Sequence, residues 1–197
     1  MKTLLYIFLG LVVYLGSMPK ETMEENQWKV ASESEVVIVG KTNINTFECQ
    51  SFKYSGKDVL TEILFPEQKY AVWSGEVVLS SDSFDCFNRI MTKDFHETVR
   101  AEEHPEIRVR FLDLVRKNLG TPQESLTGNV EITLAGVCRR FPISCKLFKE
   151  ENGKTLLKGS QEVTFKDFQI DPPVKFLGAV KVQNSISVNF GLVLEKI

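Results

Sequence analysis

The C-terminal segment of the chain alternates regularly enough to constrain its conformation. Between Val180 and Leu194 almost every even-numbered residue is apolar, whereas the odd-numbered positions are mostly polar. Apolar residues at every second position lie on one face only if the chain is extended, as in a β-strand with one buried and one solvated face. The pattern recurs along the chain, so several long strands must bury their dry faces against one another. A sandwich or a closed barrel meets this requirement, and a barrel of moderate size can hold a ligand.

Shorter alternating or apolar segments indicate the other strands. They begin at Trp28 and include residues 36–44, 71–80, 106–114, 130–134, 141–147 and 163–170. Together these segments predict eight or more strands, and therefore an all-β fold. No period recurs at the intervals that are typical of repeat proteins.

Composition limits the number of domains and the class of partner. At 197 residues the chain suits one domain, which we place at residues 28–197, and it is long enough for a substantial core. The formal net charge is −2, and no basic run or basic-aromatic stripe occurs. Nucleic acid is therefore a poor candidate for a partner.

The N-terminus has the features of a secretory signal peptide. A short basic start precedes an apolar run from Leu4 to Leu15, and the small residues Gly16 and Ser17 follow. This run would span only about 18 Å as a helix, against about 30 Å of hydrocarbon, so a membrane anchor fits less well. We predict a signal peptide at residues 1–17, a loose lead-in at residues 18–27, and a periplasmic or secreted mature chain with no membrane span. The alternative is an N-terminal core helix.

Four cysteines would then lie in a compartment that permits disulfides. Cys49 and Cys86 each follow a phenylalanine by two residues, so the geometry permits a cross-strand disulfide if their strands are neighbours. Cys138 and Cys145 flank a hairpin that we predict at Arg139-Arg140, but its register does not place them opposite each other. The alternative is that all four are buried thiols that pack as small apolar side chains.

Residues 88–104 are the segment with a helical pattern. Met91, Phe95 and Val99 recur at intervals of four, which places them in one apolar stripe. Thr92 is the predicted N-cap, and Pro105 is the predicted stop. A short amphipathic helix must lay its stripe on an apolar surface, which the open end of a barrel offers. The pattern fits a mobile lid and a helix that merely closes the core equally well.

No catalytic or metal-binding pattern stands out. His96 and His104 are the only histidines, and neither has a partner at the spacing of a metal site. The glycines form no phosphate-binding loop, and no nucleophile elbow occurs. We therefore predict no metal, no cofactor and no enzymatic activity. An enzyme that uses His96 or His104 as a base on an apolar substrate is the weakest alternative.

Four segments resemble the YceI-like family of bacterial secreted proteins. They are Gly40-Lys41-Thr42 leading to Phe47, Met91-Thr92-Lys93-Asp94 with His104-Pro105-Glu106-Ile107, the strand Leu126 to Val137, and Phe165 to Ile170. The segments occur in the family's order, and the resemblance covers roughly Trp28 to Ile197. Cys138 and the stretch from Ser51 to Tyr70 depart from the family pattern.

This resemblance implies an antiparallel eight-stranded lipocalin-like barrel with one short helix, exported to the periplasm. It implies that the barrel interior binds an isoprenoid or a similar amphiphilic lipid, with no other cofactor. The strand faces that the resemblance carries over, with the other dry faces and the helix stripe, give the predicted lining: Ile38, Met91, Phe95, Val99, Val109, Phe111, Val130, Ile132, Leu134, Ile143, Phe165, Phe168, Ile186, Val188 and Phe190.

Two readings from different classes follow. In the first, the protein is a non-catalytic carrier or binding module for an apolar lipid. In the second, the side chains fill the barrel, and the protein acts through contacts of its surface with other proteins. The sequence also leaves open whether two barrels pair as a homodimer.

Overall fold

The computed structural model describes residues 23–52, 54–117, 119–120, 123–150 and 153–197, so the predicted signal peptide lies outside the described residues. These residues form one α-helix and a sheet of twelve strands. The elements are β1 Glu24–Val30, β2 Glu35–Thr42, β3 Thr46–Ser51, β4 Val59–Phe65, β5 Tyr70–Ser80, β6 Phe84–Asp85, α1 Arg89–Thr98, β7 Glu106–Lys117, β8 Gln123–Leu134, β9 Val137–Lys149, β10 Thr155–Thr164, β11 Val174–Lys175 and β12 Val180–Lys196.

Eight of the described strands close into a ring, in the order β1, β4, β5, β7, β8, β9, β10 and β12. The pairs are antiparallel, and the ring closes where Trp28 to Val30 of β1 pair with Leu194 to Lys196 of β12. The predicted all-β barrel with one short helix is therefore confirmed. Alternate residues of each strand face the interior, as the period of two requires.

The two ends of the barrel wall are built from partly different strands. Strand β2 continues β1 along the same side of β12, and it pairs with residues Val182 to Gly191. Strand β4 pairs only with the first half of β5, as far as Gly75. Beyond that point β3 and β6, which pair in turn from β2, take its place. We call the end with α1 and the β2–β3 turn the upper half, and the end where β5 begins and β7 ends the lower half.

Side chains fill the lower half of the barrel. The rings of Trp28 and Trp73 stack there at 5.2 Å between centroids. Around them lie apolar residues with almost no exposed surface: Leu60, Ala71, Leu114, Leu126, Cys145, Leu147, Leu157 and Leu194. Such dense packing is normal for a protein core and leaves no room for a ligand.

A buried polar cluster lies within this packed half. Glu62 accepts hydrogen bonds from Nε1 of Trp73 at 3.1 Å and of Trp28 at 3.1 Å. Its carboxylate lies 2.6 Å from Nη2 of Arg116, and Nε of Arg116 lies 3.2 Å from Oε2 of Glu124. Glu124 also accepts from the backbone N–H of Gly120 at 2.7 Å. Two buried carboxylates thus share one guanidinium.

A β-bulge in β7 brings Arg116 inside. The pairing of β7 with β8 shifts register between Phe111 and Val115. Above the shift the odd residues from Ile107 to Phe111 face the interior, and below it Leu114 and Arg116 do so. An extra residue in one strand reverses which face each later side chain takes.

Two sequence-based boundaries of strands are wrong. The lead-in predicted to be loose as far as residue 27 is extended from Glu24, because pairing with β4 holds its polar backbone. The β8–β9 turn lies at Ala135-Gly136 and not at Arg139-Arg140. Both turn residues have positive φ, of 49° and 78°, which matches the tight hairpin turn that Gly136 favours.

The helix begins and ends earlier than its pattern predicts. Asn88, and not Thr92, is the N-cap, because its side chain accepts hydrogen bonds from the backbone N–H groups of Ile90 and Met91. The helix ends at Thr98, and Arg100 adopts a left-handed conformation with φ of 55°. Residues 99–104 therefore lie outside the helix, and Pro105 does not end it.

Candidate functional site

The upper half of the barrel encloses an apolar cavity of about 420 Å³. This volume lies within the range of about 300–1,000 Å³ that is usual for sites of small ligands. Its wall comes from the inward faces of the strands, and helix α1 and the segment around β11 complete it. Several inward residues, such as Ile132 and Val188, are only half-buried because they face this open space.

The structure places every residue of the predicted lining around this one cavity. The strands contribute Ile38, Val109, Phe111, Val130, Ile132, Leu134, Ile143, Ile186, Val188 and Phe190, the helix stripe contributes Met91, Phe95 and Val99, and the turn after β10 contributes Phe165 and Phe168. The shared geometry follows from strand alternation, which fixes the inward face of each strand.

Two phenylalanines separate the cavity from the packed lower half. The rings of Phe111 on β7 and Phe190 on β12 lie 6.3 Å apart between centroids. Both line the cavity, whereas Leu114, the next inward residue of β7, and Leu194, which follows Leu192 on the inward face of β12, are fully buried beneath it. Phe190 lies over Gly159 of β10, where any side chain would collide with the ring. The pair forms the floor of the cavity.

Helix α1 lies against the upper wall through its predicted stripe. Phe95 packs on Phe84 at 5.3 Å between ring centroids. The Nε2 atom of His96 lies 3.1 Å from the carbonyl oxygen of Phe84, which fixes the helix to β6. A disulfide joins Cys49 of β3 to Cys86, just before the helix. The helix is thus tied covalently to the wall that it covers.

An ion pair crosses the mouth of the cavity. Nζ of Lys175 in β11 lies 2.7 Å from Oδ1 of Asp94 in helix α1, and both residues line the cavity. The other polar residues that line it include Thr42, Asn45, Asn88 and Gln161. Thr42 ends β2 and donates a hydrogen bond to Asn45 in the β2–β3 turn, and Asn88 is the helix N-cap, so much of the polarity lies at the mouth.

A carboxylate closes the seam between β5 and the strands that replace β4. Oδ2 of Asp58 accepts from the backbone N–H of Val78 at 2.9 Å and from the hydroxyl of Tyr54 at 2.7 Å. Burial and the hydrogen bond to Asp58 raise the pKa of Tyr54 well above its ordinary value. Asp58 thus completes the wall on the edge of β5 opposite β7, where no described strand pairs with β5 beyond Gly75.

Sequence reasoning missed several lining residues. On the strands these are Val36, Phe47, Val77, Leu79, Ile107, Val163, Val182 and Leu192. Most of them continue alternations that were visible in the sequence, so extending each dry face would have found them. Ile44 belongs to the alternation of residues 36–44, although it lies in a turn. Ile90 and Phe176 carried no such signal, because they lie at a helix start and in an irregular segment.

The groups considered for catalysis lie elsewhere. Neither His96 nor His104 lines the cavity. The described residues contain no group of three or more side chains that could hold a metal ion. Cys138 is exposed, whereas Cys145 is buried in the lower half, and this burial raises the pKa of its thiol to about 12. In the described part of the chain, no helix has the length and hydropathy needed to cross a bilayer.

Solved structures share this architecture. The chain aligns with BcnA from Burkholderia cenocepacia at a TM-score of 0.60 and 15% identity. The alignment covers 82% of this chain and 96% of BcnA. It also aligns with a polyisoprenoid binding domain from Saccharophagus degradans at a TM-score of 0.59 and 11% identity. That alignment covers 85% of this chain and 97% of the domain. The chain has a YceI-like fold.

At these identities the shared feature of this YceI-like barrel and its neighbours is the fold alone. A YceI protein from Campylobacter jejuni aligns over 98% of this chain and 94% of the other at a TM-score of 0.49 and 10% identity. No protein-family model matches the sequence, and no curated protein matches it.

Proposed function

We propose that the protein is a non-catalytic binding protein that holds an apolar or amphiphilic lipid of the isoprenoid type in the upper half of its barrel. The observation that carries the proposal is the cavity of about 420 Å³ with its almost wholly apolar wall. The alternative of a barrel filled by side chains describes only the lower half.

The energetics favour a hydrocarbon. Each methylene transferred from water to an apolar site contributes about 0.8 kcal/mol, so a chain that fills the cavity needs no charged contact to bind. The floor at Phe111 and Phe190 sets the depth that the tail can reach. Polar side chains such as Asn45 and Lys175 meet the end of the ligand that stays at the mouth, which suits an amphiphile.

Structural similarity to a solved domain supports the binding function, and the Cys49–Cys86 disulfide supports a location for the protein. The Saccharophagus degradans neighbour is described as a polyisoprenoid binding domain. We further propose that the protein works in the periplasm or outside the cell, because disulfides such as Cys49–Cys86 persist in oxidising compartments. Fractionation of the producing cells tests this location.

Solvent extraction of the purified full chain, followed by mass spectrometry, tests the binding function. We expect a prenyl or acyl lipid in stoichiometric amount. The variant Val188→Trp fills the cavity from β12 and should lose that lipid. The adjacent variant Asn189→Trp places the same ring on the outer face of the strand and should keep it.

Thermal unfolding supplies an independent readout. A ligand that binds only the folded state raises Tm by mass action, so added prenyl lipid should stabilise the delipidated protein and Asn189→Trp, but not Val188→Trp. An empty extract combined with no thermal shift in the wild type would exclude the carrier function.

A further inference from the structure

The cavity mouth is surrounded by large apolar side chains that point into solvent. Ile44, Ile90 and Phe176 are 70%, 72% and 78% exposed, yet each of them also lines the cavity. Leu177 follows Phe176 and is fully exposed. We call these four residues the mouth rim. They come from the β2–β3 turn, the first turn of α1 and the segment after β11.

The backbone at one side of the mouth rim is held in a costly conformation. Phe176 and Leu177 both have φ of 53°, in the left-handed region that bulky residues rarely adopt. Both side chains are largely exposed in this conformation, and Phe176 also lines the cavity. A segment that merely connected β11 to β12 would have no physical reason to expose two large apolar residues in succession.

The segments that form the mouth rim carry a net positive charge, although Asp85 accepts hydrogen bonds from Phe87 and Thr92 in one of them. No Asp or Glu occurs in segments 41–47, 87–93 or 173–180, which contain the rim residues and their neighbours. The same segments contain Lys41, Arg89, Lys93 and Lys175. Lys175 is paired with Asp94 and Lys93 with Glu97, so Lys41 and Arg89 are the cations of these segments that form no ion pair with a described residue. Apolar side chains flanked by cations are the arrangement that favours an interface with anionic lipid.

We propose that the mouth rim docks onto the surface of an anionic lipid bilayer. The side chains protrude separately, at the end of a turn, on a helix and on an irregular loop, so they can insert between lipids without a shape-matched partner. The mouth rim is continuous with the cavity wall, so docking would align the apolar interior of the bilayer with the apolar interior of the barrel. The inference rests on the proposed function for its purpose, but membrane docking is measured separately from lipid loading.

Sedimentation with vesicles tests the proposal. Full-length protein is mixed with phosphatidylcholine vesicles with and without phosphatidylglycerol. We expect binding to the anionic vesicles that weakens as salt screens the lysines and arginines. The double variant Ile44→Ser/Leu177→Ser should bind about tenfold more weakly, because two side chains no longer enter the lipid.

The lower end of the barrel supplies a matched control. Ile197 is 65% exposed, a value similar to the 70% of Ile44, but it lies at the opposite end of the barrel, where it follows Glu195 and Lys196. Ile197→Ser should therefore bind vesicles as the wild type does. Equal binding by the rim variant and the control, or no vesicle binding by the wild type, would overturn the proposal. So would a rim variant that only converts a homodimer into a monomer.

A cavity variant separates docking from the proposed function. Val188→Trp fills the interior but leaves the mouth rim unchanged, so it should lose the extracted lipid and still sediment with anionic vesicles. If it sediments normally and the rim variant does not, docking holds even where the carrier function fails. If vesicle binding follows cavity occupancy and not the mouth rim, the docking proposal is wrong.

Discussion

The two halves of this barrel share most of their strands and differ in what those strands place inside. In the lower half the inward residues are mainly leucine and tryptophan, and they meet with almost no exposed surface. In the upper half they are mainly valine, isoleucine and phenylalanine, and they surround about 420 Å³ of space. Short β-branched side chains reach less far across the barrel, so the same architecture is solid at one end and hollow at the other.

This difference separates stability from binding. The lower half contains the stacked tryptophans and the buried Glu62–Arg116–Glu124 cluster, and its side chains have the dense contacts of a normal core. The upper half lacks that filling and is held instead by the Cys49–Cys86 disulfide, Asp58 at the seam and the Lys175–Asp94 ion pair. Substitutions should therefore affect unfolding most in the lower half and ligand retention most in the upper half.

The largest expected contrast in unfolding free energy is between the buried Glu62–Arg116–Glu124 cluster and the Lys175–Asp94 ion pair. Arg116→Met leaves Glu62 and Glu124 buried without their cation and should lower the free energy of unfolding by about 3–5 kcal/mol. Lys175→Met breaks a pair whose side chains are 41% and 26% exposed, so its loss should stay below about 1 kcal/mol. Urea unfolding measures both. Similar losses would show that the upper half is as tightly coupled as the lower half.

A pair of leucine truncations sharpens the comparison. Leu114 is fully buried in the lower half, and Leu114→Ala should cost about 3 kcal/mol because it opens a void in dense packing. Leu134 lines the cavity and already faces space on one side, so Leu134→Ala should cost about 1 kcal/mol. The same unfolding measurement applies, and a reversed order would contradict the division into a packed half and a hollow half.

The smallest expected effect concerns pH and the buried thiol of Cys145. Burial raises its pKa from 9.0 to about 12, so the fold favours the protonated thiol. The buried, protonated thiol contributes its full stability below the pKa that Cys145 has in the unfolded chain. This contribution is lost as the pH rises towards 12. The free energy of unfolding should fall by up to about 1.4 kcal/mol per pH unit above the unfolded pKa.

The variant Cys145→Ala isolates this term, because other groups titrate equally in both proteins. Its stability should decline less steeply than that of the wild type between about pH 9 and about pH 10. As a comparison within one molecule, an alkylating reagent should modify the exposed Cys138 much faster than Cys145 in the folded protein. Parallel slopes for the two proteins would contradict the shifted pKa.

The strand faces could be predicted from the sequence because alternation is a local property. The residues proposed for the lining on β8 and β12, such as Ile132 and Val188, all face the cavity for this reason. The helix stripe was equally readable. The bounds of the helix were not, because Asn88 and Thr92 are both acceptable N-caps and only the packing against Phe84 and β6 selects between them.

Other features depended on contacts between distant parts of the chain. The β7 bulge that turns Arg116 inward, where it meets Glu62 from β4, has no signature in the local pattern. The same holds for the mouth rim, since Ile44, Ile90 and Phe176 come from segments far apart in sequence. Isolated apolar residues in turns are common on protein surfaces, so none of them was informative alone.

The sequence by itself determined that the chain forms alternating strands with one dry face, and which residues that face contains wherever no bulge interrupts the strand. Whether the dry faces would meet or leave a cavity was decided only by the tertiary structure. The period of two specifies a direction for each side chain, but an internal volume depends on how far side chains from eight strands extend towards one another.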